Sequence, residues 1–258
     1  MATNVAHYED NFSLGGLLGE AFSTITENPL VTLGTAFLFG ALPSALLEWL
    51  NPLKVAGPMT SGGIGIPLAF VLVGIVALVF CASVMQGAMT QAALAHREGR
   101  KAGLGEVIAT GLRCSGPLFL LGIVMSIGIS IGFLLLIVPG IILSLMWMVA
   151  APALVIERRG IFATLSRSRE LTKGARWKIL ALILVGFVAI IIVSALFGIF
   201  AGLLMAVTGT VSKLAVIPTM IGQTLGSAFM VVVIASLFLE LRSSKEGPAT
   251  DALSDIFA

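Results

Sequence analysis

The sequence predicts an all-α fold: a polytopic membrane helix bundle with six transmembrane helices plus short cytoplasmic amphipathic helices. Three observations lead to this prediction. Hydrophobic residues make up 58% of the chain and charged residues only 11%, well below the ~25% charged residues of soluble domains. The apolar residues fall in runs long enough to cross a bilayer as helices, which takes about 20 residues. Basic residues collect in alternate connectors between these runs.

The apolar runs define six predicted spans. The run from Cys114 to Ile156 contains no charged residue and is too long for one helix, so we expect Pro139-Gly140 to divide it into two helices joined by a tight turn on the outer side. The spans are Leu30 to Leu50, one within Val55 to Ala95 starting near Pro67, two within Cys114 to Ile156, one within Ile179 to Val211 and one within Leu214 to Leu239. The predicted organisation is an N-terminal segment 1–29, a transmembrane domain 30–241 and a tail 242–258.

The distribution of basic residues predicts the orientation. Thirteen of the fifteen Lys and Arg residues lie in the connector between spans two and three, the connector between spans four and five, and the tail. Only Lys54 and Lys213 lie on the opposite side. Because short cytoplasmic loops carry the excess of Lys and Arg, we expect both termini in the cytoplasm. The first 29 residues hold no Lys or Arg, so we expect the first span to act as an uncleaved signal.

Three segments beside the spans have amphipathic helical spacing. Residues 14–25 place six apolar side chains on one stripe, and Pro29 ends the pattern. This helix either lies in the membrane interface or packs against the cytoplasmic end of the bundle. Gly103 to Leu112 predicts a second short helix. A third spans Ile161 to Thr172, with Leu165 and Ser168 on the same stripe and Gly174 as its C-cap.

The connector after span four is the main candidate site. Seven basic residues in a short cytoplasmic segment are suited to lipid phosphates, although they also satisfy the positive-inside rule as solvated charges. The candidate lipid- or partner-binding residues are Arg158, Arg159, Arg167, Arg169, Lys173, Arg176, Trp177 and Lys178, with Arg97, Arg100 and Lys101 in the preceding cytoplasmic connector. The candidate structural residues are Pro139, Gly140, Glu157 and Gly174.

No catalytic or metal-binding pattern is present in the sequence. His7 and His96 are far apart and lack a nearby second ligand, so we expect both to be ordinary surface residues. There is no P-loop, Cys-x-x-Cys or Gly-x-Ser-x-Gly motif. The near-balanced net charge of +2 gives no indication of a nucleic-acid partner. We therefore predict no enzyme activity, no metal and no cofactor.

The central motifs resemble a known family. The segments VPGIILSLMW (Val138 to Trp147), AAPALVIE (Ala150 to Glu157) and LSRSRELTKG (Leu165 to Gly174) look like those of the bacterial YciC-like membrane proteins, and the tail LFLELRSSKEG from Leu237 is similar. These proteins are labelled as the membrane domain of glycerophosphoryl diester phosphodiesterase. The resemblance implies a six-helix protein of the bacterial inner (cytoplasmic) membrane. It does not imply the phosphodiesterase, whose chemistry resides in a separate soluble barrel with histidines and clustered acids.

Three functions fit these expectations. The first is a non-enzymatic inner-membrane protein that organises or assists a membrane process through lipid-headgroup or protein-partner contacts. The second is a transporter or flippase for a lipid-like or amphipathic substrate, which a continuous cavity reaching Gln86, Gln91 and Gln223 would favour. The third is an accessory subunit of a larger membrane complex or a homo-oligomer, since three Gly-x-x-x-Gly motifs provide close-packing faces.

Overall fold

The computed structural model describes residues 14–50, 65–208 and 216–246, and every element in these ranges is helical. Lys54 and Lys213, which the charge pattern assigns to the outer side, lie outside the described residues. The helices are α1 (Leu14–Glu27), α2 (Pro29–Trp49), α3 (Gly65–Arg97), α4 (Leu104–Leu135), α5 (Ile137–Trp147), α6 (Ala150–Glu157), α7 (Ile161–Thr172), α8 (Arg176–Thr208) and α9 (Val216–Glu246).

Six stretches of the described chain are long and apolar enough to cross a membrane. They are α2, α3, α4, the pair α5 and α6, α8 and α9. The predicted number of spans is therefore confirmed. One boundary differs: Gly103 to Leu112 does not form a separate short helix, because α4 runs without interruption from Leu104 to Leu135. In addition, α9 continues to Glu246, beyond the predicted end of the transmembrane domain at residue 241.

The predicted hairpin between spans three and four turns at Leu136, three residues before Pro139. Leu136 is extended, with φ −164° and ψ 152°, and α5 begins at Ile137. Pro139 thus occupies the first turn of α5, where a missing backbone N–H removes no intrahelical hydrogen bond. Gly140 packs on α4, and a Cβ at this position would lie 2.5 Å from Cγ of Phe133. Gly140 therefore allows the two antiparallel helices to approach closely.

A second interruption divides the fourth span at Met148 and Val149. Here α5 ends at Trp147 and α6 begins at Ala150, with Pro152 in the first turn of α6. Because lipid cannot satisfy backbone groups freed by such a break, protein groups must do so. The hydroxyl of Ser168, on α7, donates to the carbonyl oxygen of Met146 over 2.7 Å. The helix α7 thus stabilises the break in the span that precedes it.

The span α2 contains a π-helical turn. Its α-helical part Pro29–Ala36 is followed by a π turn at Phe37–Ala41 and then by Leu42–Trp49. Pro43, in the first turn of the second part, has no N–H to donate to the preceding turn, which accounts for the altered hydrogen bonding. A Cβ at Gly40 would lie 3.2 Å from Sδ of Met85, so the π turn faces α3 closely.

Glycines determine where the long helices meet. A Cβ on Gly111 of α4 would lie 2.5 Å from the carbonyl oxygen of Val84, and one on Gly87 of α3 would lie 2.9 Å from Cα of Gly111. These contacts place the backbones of α3 and α4 against each other. The largest apolar core lies beside them, where Phe238 of α9 is fully buried with residues of α1, α3, α5, α7 and α8.

The helix α1 packs against the bundle. Leu17 and Ala21, both on the predicted apolar stripe, are buried in the core cluster that also contains Leu237 and Phe238 of α9. Phe22, on the edge of the same stripe, is 63% exposed. The helix ends at Glu27, immediately before Asn28 and Pro29. Of the two locations considered from the sequence, the contacts favour packing on the bundle over lying free in the interface.

Candidate functional site

The basic residues of the described chain lie at one end of the bundle. At this end lie α1, α7, the C-terminal ends of α3, α6 and α9, and the N-terminal ends of α4 and α8; we call it the basic end. Contacts between sequence-distant residues bring these parts together. Arg97 of α3 pairs with Glu240 of α9 over 3.0 Å, and Nδ1 of His96 lies 3.3 Å from Glu27 of α1. All thirteen Lys and Arg residues in the described ranges lie in these segments or in the short connectors between them.

A chain of alternating charges joins α6, α7 and α9 at the basic end. Nε of Arg167 donates to Oε1 of Glu157 over 3.0 Å, and its terminal nitrogen contacts Glu246. Glu246 in turn pairs with Arg242 at 3.0 Å. Arg159 lies 2.8 Å from the other oxygen of Glu157, although that oxygen accepts no hydrogen bond. Because Glu157 is 8% exposed and Arg167 14% exposed, this network is structural.

Two more predicted site residues are engaged in ion pairs. Arg97 contacts Glu240 and also donates to Ser243. Arg100 pairs with Glu98 at 2.7 Å and with Glu106 at 2.9 Å. Hydrogen bonds from the guanidinium of Arg100 to Glu98, and to a lesser extent to Glu106, raise the pKa of Arg100 above its ordinary value. Both arginines hold helix ends together, which reduces their availability for an external ligand.

A different group of basic residues remains unpaired. Within the described ranges, the side chains of Lys101, Arg113, Arg158, Arg169, Lys173 and Arg176 form no ion pair. Arg158 is exposed and follows the last residue of α6, and its backbone is in the left-handed conformation with φ 49°. Arg169 and Lys173 are exposed near the end of α7, whereas Arg176 is half-buried and its Nε is buried without a hydrogen-bond partner. Lys178 is half-buried and has an interaction of its own.

The helix α7 separates a packed face from an exposed face. Thr164, Leu165, Ser168, Leu171 and Thr172 are buried. Gly174 follows Lys173, the C-cap of α7, and its φ of +93° is the left-handed backbone conformation that favours glycine just after a helix. The exposed stripe is formed by residues three or four apart, namely Phe162, Ser166, Arg169 and Lys173. We call this stripe, together with Arg158 and Trp177, the exposed basic surface.

Two large aromatic side chains border the unpaired charges. Phe162 is 77% exposed and Trp177 is 83% exposed. Trp177 is the second residue of α8, separated from α7 by a tight turn in which the N–H of Ala175 bonds the carbonyl of Thr172. Exposed aromatic rings at the end of a membrane-crossing helix are typical of the headgroup level of a bilayer. The exposed basic surface thus combines apolar anchors with free cations.

The three amides considered for a transport path do not meet. Gln91 donates to Glu106 over 3.0 Å at the basic end. Gln86 lines a cavity of about 250 Å³ between α3, α4, α6 and α9, beside the break at Met148. Gln223 lines another cavity of about 360 Å³ between α8 and α9 and accepts a hydrogen bond from Ser44. These two cavities share none of their described lining residues.

The glycine motifs also divide into two kinds. Gly222 and Gly226 face Phe197 and Ile190 of α8, and Gly128 and Gly132 face α5. A Cβ added at either glycine of the third motif, Gly198 or Gly202, would have no atom of another helix within 4 Å. Two of the three predicted packing faces are therefore used within the chain.

Some contacts of the basic end were not predicted from the sequence. His96, expected to be an ordinary surface residue, is half-buried and lies 2.9 Å through Nε2 from the hydroxyl of Ser23. Glu246 was not recognised as a partner of Arg167, because the two residues are far apart in sequence. The break at Met148 had a signal in Pro152, which interrupts the apolar run.

Comparison with protein-family models, with curated proteins and with solved structures gives no match for this chain. The YciC-like resemblance therefore stays a prediction. Among the described residues, no group of three or more His, Cys, Asp or Glu side chains is arranged to hold a metal ion.

Proposed function

We propose that this chain is a non-enzymatic multi-pass protein of the bacterial inner membrane that binds anionic lipid headgroups through its exposed basic surface. In this proposal the basic end faces the cytoplasm, both termini lie there, and α1 and α7 are cytoplasmic helices. The orientation is supported by the positive-inside rule, since every described Lys and Arg lies at the basic end.

The observation that carries the proposal is the unpaired state of the cations on the exposed basic surface. Arg169 and Lys173 lie four residues apart, a spacing at which like charges repel, and neither forms an ion pair with Glu170, the acidic residue between them. A lipid phosphate between them would relieve this repulsion. Each Lys or Arg near an anionic membrane surface contributes about 1 kcal/mol of attraction.

Arg176 supports the same ligand. It is the first residue of α8, where the positive end of the helix dipole disfavours a cation. Its Nε is buried and has no hydrogen-bond partner among the described residues. An anion at this position would pair with the guanidinium and with the positive end of the helix dipole.

Two features favour headgroup binding over transport. The cavities that contain Gln86 and Gln223 share no described lining residue, and Gln91 is bonded to Glu106. A path through all three amides would require a rearrangement of α3 and α9. By contrast, the exposed basic surface needs no rearrangement to meet a phosphate.

The test compares two triple variants that lose the same charge. Arg158→Ala/Arg169→Ala/Lys173→Ala removes unpaired cations, whereas Arg100→Ala/Arg159→Ala/Arg242→Ala removes cations that are ion-paired. Wild-type and variant proteins are placed in nanodiscs with equal phosphatidylglycerol and phosphatidylcholine, and the retained lipids are measured by native mass spectrometry.

We expect the wild-type protein to retain more phosphatidylglycerol than phosphatidylcholine. In the first variant this enrichment should fall about fivefold for each phosphate contact removed. The second variant should keep most of the preference. The proposal fails if the wild-type protein shows no enrichment. It also fails if the two variants lose enrichment equally, because bulk charge would then explain the effect.

A further inference from the structure

The cavity beside the broken fourth span is formed by parts of four helices and by the break itself. Its volume is about 250 Å³. The lining contains Gln86 and Thr90 from α3, Leu121, Met125 and Ser126 from α4, Met148 from the break, Pro152 from α6, and Val231 from α9. Ser126 is exposed, so the cavity opens to the outside of the bundle. Since these helices are spans, that outside is the bilayer.

The break borders this space. The helix α5 ends at Trp147 and α6 begins at Ala150, and Met148, which lies between them, lines the cavity. The carbonyl of Met146 is satisfied by Ser168 at 2.7 Å, with Thr172 at 3.5 Å. The break is therefore stabilised by α7 rather than by a residue in the cavity.

Two of the three polar side chains that line the cavity lack a hydrogen-bond partner among the described residues. Thr90 donates to the backbone carbonyl of Gln86 over 2.7 Å. The side-chain amide of Gln86 and the hydroxyl of Ser126 form no hydrogen bond with any described residue. Polar groups away from water normally find hydrogen-bond partners, and leaving them unsatisfied in an apolar setting is costly. These two side chains offer donors and acceptors to a molecule in the cavity.

The lining also limits the charge of that molecule. It contains no ionisable side chain among the described residues, so a charged group would enter without a counterion. The remaining walls are apolar, with Leu118, Leu121, Met125 and Met148 available for hydrocarbon. Methionine side chains adapt to irregular apolar shapes.

We infer that this cavity binds one lipid from the bilayer by an uncharged hydrogen-bonding group, such as a hydroxyl or ester, with its acyl chain against the apolar wall. Gln86 contacts the polar group. This site is separate from the exposed basic surface and does not depend on the proposed binding of anionic headgroups.

The test uses the full-length protein in nanodiscs made only of phosphatidylcholine, which removes anionic lipid from the experiment. The probe is a diacylglycerol with a photoreactive diazirine in one acyl chain. A fatty acid with the same photoreactive chain, ionised at pH 8, is the charged comparison. After illumination, the labelled residues are located by mass spectrometry. We expect labelling by the diacylglycerol at Met125 or Met148, and at least fivefold less labelling there by the ionised fatty acid.

Two glycines on α4 provide matched variants. Gly122 lines the cavity, whereas Gly105, near the start of the same helix, does not, and a Cβ added at either glycine would have no atom within 4 Å outside its own helix turn. We expect Gly122→Phe to fill the cavity and reduce labelling at least fivefold, while Gly105→Phe labels like the wild-type protein. Gln86→Leu removes the amide and should reduce labelling about fivefold, the effect of one lost hydrogen bond.

Thermal midpoints show whether each variant is folded, and the two glycine variants decide the question if Gln86→Leu is unstable. The inference is overturned if Gly122→Phe labels like the wild-type protein, if the ionised fatty acid labels the same residues equally, or if labelling spreads evenly over the exposed residues of α8. A failure here would leave the phosphatidylglycerol enrichment unaffected, so the two proposals are separable.

Discussion

Arg167 of α7 donates through Nε to Oε1 of Glu157 of α6 over 3.0 Å, and both side chains are largely withdrawn from solvent. The pair joins the end of the fourth span to the helix that stabilises the break within it. Breaking a buried pair by removing one partner typically costs about 3–5 kcal/mol, because the other charge remains buried. The cost is lower where a second partner persists, and Arg167 keeps Glu246.

We therefore expect Glu157→Ala to reduce the free energy of unfolding by about 2–3 kcal/mol, somewhat less than for a fully isolated pair. Arg159→Ala is the control, since Arg159 contacts the same carboxylate but is 54% exposed. It should cost about 1 kcal/mol or less. Unfolding in a mild detergent, followed by circular dichroism, measures both. Equal losses for the two variants would contradict a structural role for the Arg167 pair.

We expect the hydroxyl of Ser168 to contribute measurably to the free energy of unfolding. Ser168→Ala leaves the carbonyl of Met146 with only the longer contact from Thr172. An unsatisfied buried acceptor costs about 1–3 kcal/mol, so we expect a destabilisation in this range.

Ser166→Ala is the matched control for Ser168→Ala, because Ser166 lies on the exposed face of the same helix. We expect it to change stability by about 0.5 kcal/mol at most. The same unfolding measurement applies. A similar effect of the two alanine substitutions would mean that α7 does not stabilise the break through this hydrogen bond.

The contact of α3 with α4 predicts strong dependence on one glycine. At Gly111 an added Cβ would lie 2.5 Å from a backbone oxygen of α3, which cannot move without displacing the helix. We expect Gly111→Ala to destabilise by about 1–3 kcal/mol through overpacking. At Gly105 of the same helix the space is open, so Gly105→Ala should be neutral or stabilising by up to about 1 kcal/mol. Thermal midpoints in detergent give the comparison, and the reverse order would disprove the close approach.

The proposed orientation can be tested by cysteine labelling. In a protein carrying Cys81→Ala and Cys114→Ala, the variant Ser166→Cys places a thiol on the exposed face of α7. We expect a membrane-impermeant maleimide to label it only after the cells are opened. Lys213→Cys, in the connector assigned to the outer side by the charge pattern, should be labelled on intact cells. The opposite result would place the basic end outside.

The sequence predicted the helical class and the six spans because these follow from local composition. A run of about 20 apolar residues can satisfy its backbone hydrogen bonds in lipid only as a helix. The helical spacing of the apolar residues in 161–172 also predicted a helix with one packed face, and the glycine at position 174 predicted where it ends. By contrast, the turn at Leu136 differs from the predicted Pro139-Gly140, since proline is tolerated in the first turn of a helix and need not precede it.

The separation of the basic residues into two groups could not be predicted in this way. All seven basic residues of the connector lie in a similar local sequence. Arg167 nevertheless forms ion pairs with Glu157 and Glu246, while Arg169, two residues later, is unpaired. That difference depends on where α9 ends in space, and Glu246 is 79 residues from Arg167 along the chain.

The sequence by itself thus determined which segments are long and apolar enough to cross a membrane and which end of the bundle is basic, because both follow from the composition of single segments. Only the tertiary structure decided which arginines are available to a ligand, where the fourth span breaks and which glycines form helix contacts. Those outcomes depend on residues brought together from distant helices, and the sequence of a single connector or span does not show which distant residues it contacts.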